Sequence, residues 1–231
     1  MGIISLEKAN NLLWLGRYSE RVYTTLRMFY QQFDKMIESS EDEYTEFCNK
    51  LNIPVIYTSN EDFVVRYLYD KENPDSVYSN LLRAYDNAII LRDEIGSETM
   101  GYLQLCVYTM EKTKHLEAPL LELQSVLDML LAFWACADDY IIETEARNII
   151  KTGKCIERLD LYLRLGSSQK AIYAEYQKLN ARIKRCGITY HEIALIRFSY
   201  LLRCEREDHP ETREEQLQIR MLQVLENLMD F

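Results

Sequence analysis

The sequence predicts an all-α fold: a multi-helix bundle with short connections and no sheet. Three observations carry that prediction. Gly and Pro are scarce, seven and four in 231 residues, so few turns punctuate the chain. Apolar residues recur at threes and fours over long stretches, the period of one helix face. Cap and stop signals cut the chain into helix-length pieces rather than strand-length ones. A motif written twice, GRYSER at 16–21 and GKCIER at 153–158, adds an expected internal duplication of the two helices that carry it.

In chain order, Ser5 caps a first helix that runs to about residue 38. Its apolar face is Leu15, Tyr18, Val22, Leu26, Phe29 and Phe33. The acid-rich ESSEDEYTE at 38–46 reads as a solvated turn followed by a short helix, and NIPVIYT at 52–58 as an extended connection. Ser59 with Asp62 starts another short helix. Asn73-Pro74 predicts a cap and a first turn, and Val77, Leu81, Ala84, Ala88, Leu91 and Ile95 share one face of the helix that follows. Gly96 closes that helix, and Ser97 caps the next, which runs to about 115. Pro119 opens a helix to about 140. The second motif copy occupies about 142–165 and stops at Gly166, and a further helix covers 168–186 and stops at Gly187. Thr189 and Glu192 fit a capping box, and Pro210 opens the last helix. With no flexible linker, 1–231 reads as one all-helical domain, its motifs within about 1–165 and its C-terminal helices over about 167–231.

Composition narrows the function classes. A net charge of −10 argues against a nucleic-acid partner, which wants a basic face. No apolar run approaches the roughly 20 residues of a membrane span. LLAFWACA at 130–137 reads as a helix core, and MGIISLEKANN lacks the pattern of a signal peptide, so a cytoplasmic location is expected. Six scattered cysteines without a C-x-x-C pair read as reduced, buried thiols. His115, His191 and His209 are far apart, so neither a metal nor another cofactor is expected.

A shift of 137 residues lays Asn11 on Asn148, Gly16 on Gly153, Arg17 on Lys154, Glu20 on Glu157, Arg21 on Arg158 and Arg27 on Arg164. A mid-helix glycine costs roughly 1 kcal/mol against alanine, so its use at both places points to close backbone approach. The motif helices are expected to cross each other, or a third helix, near Gly16 and Gly153. In the first copy Arg17, Glu20, Arg21 and Arg27 form a stripe opposite the apolar face, which by itself reads as a solvated face with intrahelical pairs. In the second copy Leu161 enters the stripe, and Ile156, Leu159, Tyr162 and Leu163 widen the apolar arc. Glu157 and Arg158 are therefore expected to be partly buried and paired. Arg83, Asp86 and Asn87 lie on the face away from Val77 and Leu81. Arg92 falls near Leu81 and either snorkels outward or pairs with Glu20 or Glu157.

Three stretches resemble the alpha-E domain family. NLLWLGRYSER (11–21) is similar to its N-terminal tract, NPDSVYSNLLRAYDNAIILRDEIGSE (73–98) to its middle tract, and GKCIERLD (153–160) to its third. The resemblance covers about residues 1–165. The chain departs from the pattern at Lys154 and Cys155, where Arg-Tyr is usual, at Ile89, where arginine is frequent, and at Met100 and Gln104, where Trp and Asn are expected. The resemblance implies an all-helical bacterial cytosolic protein, with relatives encoded beside or fused to an ATP-grasp-type amide ligase, often near a transglutaminase-like protease and a proteasome-like hydrolase. It singles out Glu20 and Glu157.

Three functions are consistent with these readings. The first is an accessory partner of an ATP-grasp-type ligase that binds a peptide, an amino acid or the ligase product. Its pocket would be lined by Arg17, Glu20, Arg21, Arg83, Asn87, Arg92, Glu157 and Arg158, and both signs of charge would suit a zwitterion. The second is an interaction-only helical protein whose Glu–Arg networks set helix register. The third is a stand-alone acid/base enzyme on peptide or amide substrates, using two glutamates with separated pKa values.

Overall fold

The computed structural model describes residues 4–38, 43–113, 119–204 and 211–229, and within them the side chains outside 31–38, 119–122, 204 and 211–215. Eleven helices form among them: α1 (Leu6–Glu38), α2 (Glu43–Leu51), α3 (Asn60–Tyr69), α4 (Val77–Ile90), α5 (Arg92–Ile95), α6 (Ser97–Thr113), α7 (Pro119–Tyr140), α8 (Thr144–Arg164), α9 (Gln169–Ile183), α10 (Glu192–Cys204) and α11 (Glu211–Glu226). The fold is all-α. No strand forms among the described residues, and one isolated antiparallel bridge joins Tyr190 and Met229.

Local chemistry sets many of these boundaries. The Ser5 hydroxyl accepts from the Lys8 N–H at 3.2 Å, the Ser59 hydroxyl from Asp62 at 3.2 Å, and the Ser168 hydroxyl from Ala171 at 3.4 Å. α8 ends where Gly166 turns to φ 67°, with the Ser167 N–H donating to the Tyr162 carbonyl at 2.9 Å. Glycine takes this left-handed conformation without a Cβ penalty.

Four expected boundaries are corrected. Asn73 does not cap α4: its side-chain oxygen accepts from the Asp75 N–H at 3.0 Å and closes a separate turn. Ser76 is the cap instead, accepting from Ser79 at 3.0 Å. The helix expected to continue to Ile95 is interrupted at Leu91, whose N–H reaches the carbonyls of both Asn87 and Ile89. Its apolar face nonetheless remains buried on both sides of the break. Ser97 is the first residue of α6, and the carbonyl of Gly96 accepts from Met100. The Thr189–Glu192 capping box gives way to a tertiary contact. Tyr190 pairs with Met229 and the His191 N–H donates to the Leu228 carbonyl at 3.0 Å, so α10 begins only at Glu192. The expectations for Phe33, Pro210, His115, His209 and Cys204 lie outside the described residues or side chains. The other five cysteines are free thiols, four of them buried.

α1 lies in the middle, packed against α4, α7 and α8. It buries Leu12, Leu15, Val22, Leu26 and Phe29, against Leu81, Ala84 and Ala88 of α4 and Ile149, Ile150 and Leu159 of α8. Rings of Phe29, Tyr44, Phe47, Tyr57, Phe63 and Tyr67 pack together where α1, α2 and α3 meet, with neighbouring centroids 4.9–6.4 Å apart. The buried apolar cluster extends from Ala9 to Leu228. No described helix is long and apolar enough to cross a membrane.

The motif helices cross each other. A Cβ on Gly16 would lie 2.1 Å from the carbonyl oxygen of Ile150, and one on Gly153 would lie 2.1 Å from that of Leu13. Each glycine thus faces the backbone of the other helix, three residues before the other glycine. Neither contact can be relieved by rotating a side chain.

Gly16→Ala or Gly153→Ala is therefore expected to destabilise the chain by about 3 kcal/mol, because overpacking outweighs the gain in helix propensity. Gly101→Ala in α6 is the control. No atom within the contact range lies near its Cβ position, and it should gain up to about 1 kcal/mol. Urea unfolding of the three variants checks both signs.

Candidate functional site

Each motif glutamate sits one turn beyond its crossing glycine, Glu20 after Gly16 and Glu157 after Gly153, so the crossing carries both into the interface. Both are sealed from solvent, Glu20 at 0% and Glu157 at 1% exposure. The helices exchange charges there. Arg158 of α8 grips Glu20 of α1 with two parallel bonds, Nε to Oε1 at 2.6 Å and Nη2 to Oε2 at 2.8 Å. The Thr24 hydroxyl adds a third at 2.7 Å. In return, Glu157 of α8 accepts from Arg17 Nε at 2.9 Å and Arg21 Nε at 2.5 Å, one on each oxygen. The solvated α1 stripe with intrahelical Glu–Arg pairs is thereby corrected. α8 covers that side of α1, and the pairs run between helices.

Electrostatics follow from this exchange. Burial alone would push the Glu157 carboxyl up, but the charges of Arg21 and Arg17 hold it below the usual carboxylate range. Burial likewise opposes charge on Arg21 and Arg158, and Glu157 and Glu20 respectively more than reverse it. The network continues into α9, where Glu175 lies 3.5 Å from Arg158 and accepts from Lys178 at 2.8 Å.

The residues after the two glycines each place a cation on an indole. The Arg17 guanidinium lies 4.6 Å from the Trp14 ring centre, and Lys154 Nζ lies 3.8 Å from that of Trp134. Burial pulls the Lys154 ammonium down to about 8, against the opposing pull of Glu20.

Five of the eight expected site residues meet at the crossing: Arg17, Glu20, Arg21, Glu157 and Arg158. Arg83 and Asn87 stand beside it. Arg83 lies 5.8 Å from the Tyr18 ring and donates to the Pro74 carbonyl at 2.9 Å, and Asn87 donates to the Arg83 carbonyl at 2.9 Å. Tyr18 in turn packs on Trp14 at 5.1 Å. Arg92 is exposed and donates to the Ser97 hydroxyl at 3.0 Å, so its pairing with a motif glutamate is not made. Sequence reasoning missed Thr24, Glu175 and Trp134. Thr24 was readable as the i+4 neighbour of Glu20; the other two come from helices whose placement no local pattern announces. No group of His, Cys, Asp and Glu among the described residues is arranged to hold a metal. A carboxylate held low by two guanidiniums is a weak general base, so Glu157 is a poor candidate for proton transfer.

Arg158→Met leaves Glu20 buried without its partner and should cost about 3–5 kcal/mol, whereas Glu20→Met/Arg158→Met should recover much of that loss. A double-mutant cycle in urea reads this coupling directly. The depressed carboxyl of Glu157 sets a pH sign. Its stabilisation is complete above the unfolded-state value of about 4.3 and is lost as pH falls through the lower folded-state value. Glu157→Gln should therefore lose stability less steeply than the parent in that acid window, measured by unfolding at stepped pH.

A family model for Alpha-E, described as a predicted alpha-helical domain with a conserved ER motif, matches residues 7–229. The match runs beyond the motif-bearing stretch and takes in the helices after residue 166. No curated protein and no solved structure matches the chain. Two Glu-Arg dipeptides, Glu20-Arg21 and Glu157-Arg158, stand together at the crossing. With nearly its whole length covered and its paired motif assembled in space, the chain belongs to the Alpha-E family.

Proposed function

We propose that this chain is an accessory binding partner of an ATP-grasp-type amide or peptide ligase, with the Glu–Arg crossing as its frame. The observation that carries this reading is the saturation of both motif glutamates, buried and bonded through every carboxylate oxygen. Such glutamates hold helices together and leave recognition to their neighbours. The mixed-sign pocket expected from the sequence is then reduced to its cationic and amide side: Arg17, Arg21, Arg83 and Asn87 around the Trp14–Tyr18 pair.

Arg17 and Arg21 keep 25% and 35% of their side-chain surface exposed while bound to Glu157. Their unused N–H groups suit a carboxylate, and Trp14 and Tyr18 suit the apolar part of a peptide, an amino acid or the ligase product. The ligase as partner rests on the family resemblance, and a cytoplasmic bacterial setting accompanies it. The reciprocal glycine contacts support descent of α1 and α8 from one duplicated helix. The half-buried Arg–aromatic face favours binding over a purely structural role, and the saturated glutamates weigh against the acid/base reading.

Titration calorimetry with the ATP-grasp-type ligase encoded nearest to this chain tests the reading. A complex is expected, weakened about tenfold or more by Arg83→Glu, a loss typical of a central charged contact. The unfolding midpoint should stay unchanged. Absence of a complex, or one indifferent to both Arg83→Glu and Trp14→Ala, would overturn it.

A further inference from the structure

A second cleft, of about 510 Å³, opens between α1, α7, α8 and the start of α9. Arg27, Lys154 and Arg158 line it, and among the described residues no carboxylate does. That is notable in a chain of net charge −10. The three cations are committed to different degrees. Arg158 is held by Glu20 and approached by Glu175. Lys154 rests on the Trp134 ring, and neither it nor the exposed Arg27 is in a salt bridge among the described residues.

Two further features lie at this cleft. Trp134 lines the cleft at 7% exposure, and its indole N–H is buried with no acceptor among the described residues. A buried donor left unpaired is uncommon and calls for a partner. Ser167 and Ser168 line the cleft where the fifteen-residue α9 begins, the end at which a helix presents its positive pole. Leu131 and Met28 complete an apolar wall.

We propose that this cleft is an oxyanion-binding site for a carboxylate or phosphoryl group carried on a small organic body. The anion sits between Lys154, Arg27 and the start of α9, beside the Trp134 indole, and its apolar part lies against Leu131 and Met28. Lys154, whose ammonium is weakened by burial, regains a counter-charge when the anion enters. The site uses none of the Arg17–Arg83 face, so it stands or falls independently of ligase binding.

Indole N–H resonances report on it, with Trp14→Phe assigning the Trp134 signal. Inorganic phosphate, N-acetyl-leucine and N-acetyl-leucinamide are each titrated at constant ionic strength to about 10 mM, a range that captures weak single-site anions. Phosphate or N-acetyl-leucine should shift the Trp134 N–H saturably, and the neutral amide should not. Which of the two anions binds more tightly distinguishes a phosphoryl from a carboxylate ligand. Lys154→Met should weaken binding about tenfold or more, the loss of one charge-assisted contact, and the exposed Arg27→Gln should weaken it without perturbing the fold. No saturable shift with either anion, an equal shift with the amide, or unchanged affinity in both variants would overturn the proposal.

Discussion

The close approach of two helix backbones at Gly16 and Gly153 is the constraint on which the site depends. Each glycine faces a carbonyl of the other helix where a methyl group would not fit. Only at that separation do Glu20 and Glu157, one turn onward, reach the guanidiniums across the interface. Buried carboxylates are tolerable only when paired and hydrogen-bonded. The glycines and the ion pairs are thus parts of one device, in which a small residue brings the backbones together and the charges lock their register.

The exchange also distributes charge. Two carboxylates take up Arg17, Arg21 and Arg158, while Lys154 and Arg27 stay uncommitted beside them. Arg17 and Lys154 occupy equivalent places, each just after its glycine and each against an indole. They differ in what they do next. Arg17 also bonds the glutamate of the opposite helix, and its planar fork lets one side chain serve both contacts. Lys154 is a point charge on a flexible stem. It sits over Trp134 and is in no salt bridge among the described residues. The two sides of the crossing are consequently unequal: one is an arginine–aromatic surface and the other a cationic cleft.

The C-terminal helices matter more to this arrangement than their lack of motif implies. α9 supplies Glu175 beside Arg158 and Arg182 to Asn148 at 3.3 Å. α11 packs on α8 and sends Gln218 to the Leu163 carbonyl. These contacts partly cover α8 and leave Arg158 and Arg164 half-buried. The family match through residue 229 agrees with that role.

The sequence by itself determined the helical class and most helix limits, and it marked Gly16 and Gly153 as a crossing point with each other or with a third helix. Periodicity, serine caps and stop glycines act within a few residues, and a glycine used twice in helical context has few other physical reasons. It also marked Glu157 and Arg158 as at least partly buried, because the apolar arc of α8 leaves little room for water. Glu20 was legible as a motif residue but not as a buried one, since its own helix presents it opposite the apolar face and only the position of α8 reverses that. Of the two outcomes open for Arg92, outward exposure or pairing with a motif glutamate, the structure shows the first. The caps at Asn73 and Thr189 fit local rules but yielded to an Asx turn and to the Tyr190–Met229 bridge. The tertiary structure alone decided which arginine meets which glutamate and that Trp134 lies under Lys154. Those pairings join residues more than a hundred positions apart or on separate helices, and local propensity carries no information about them.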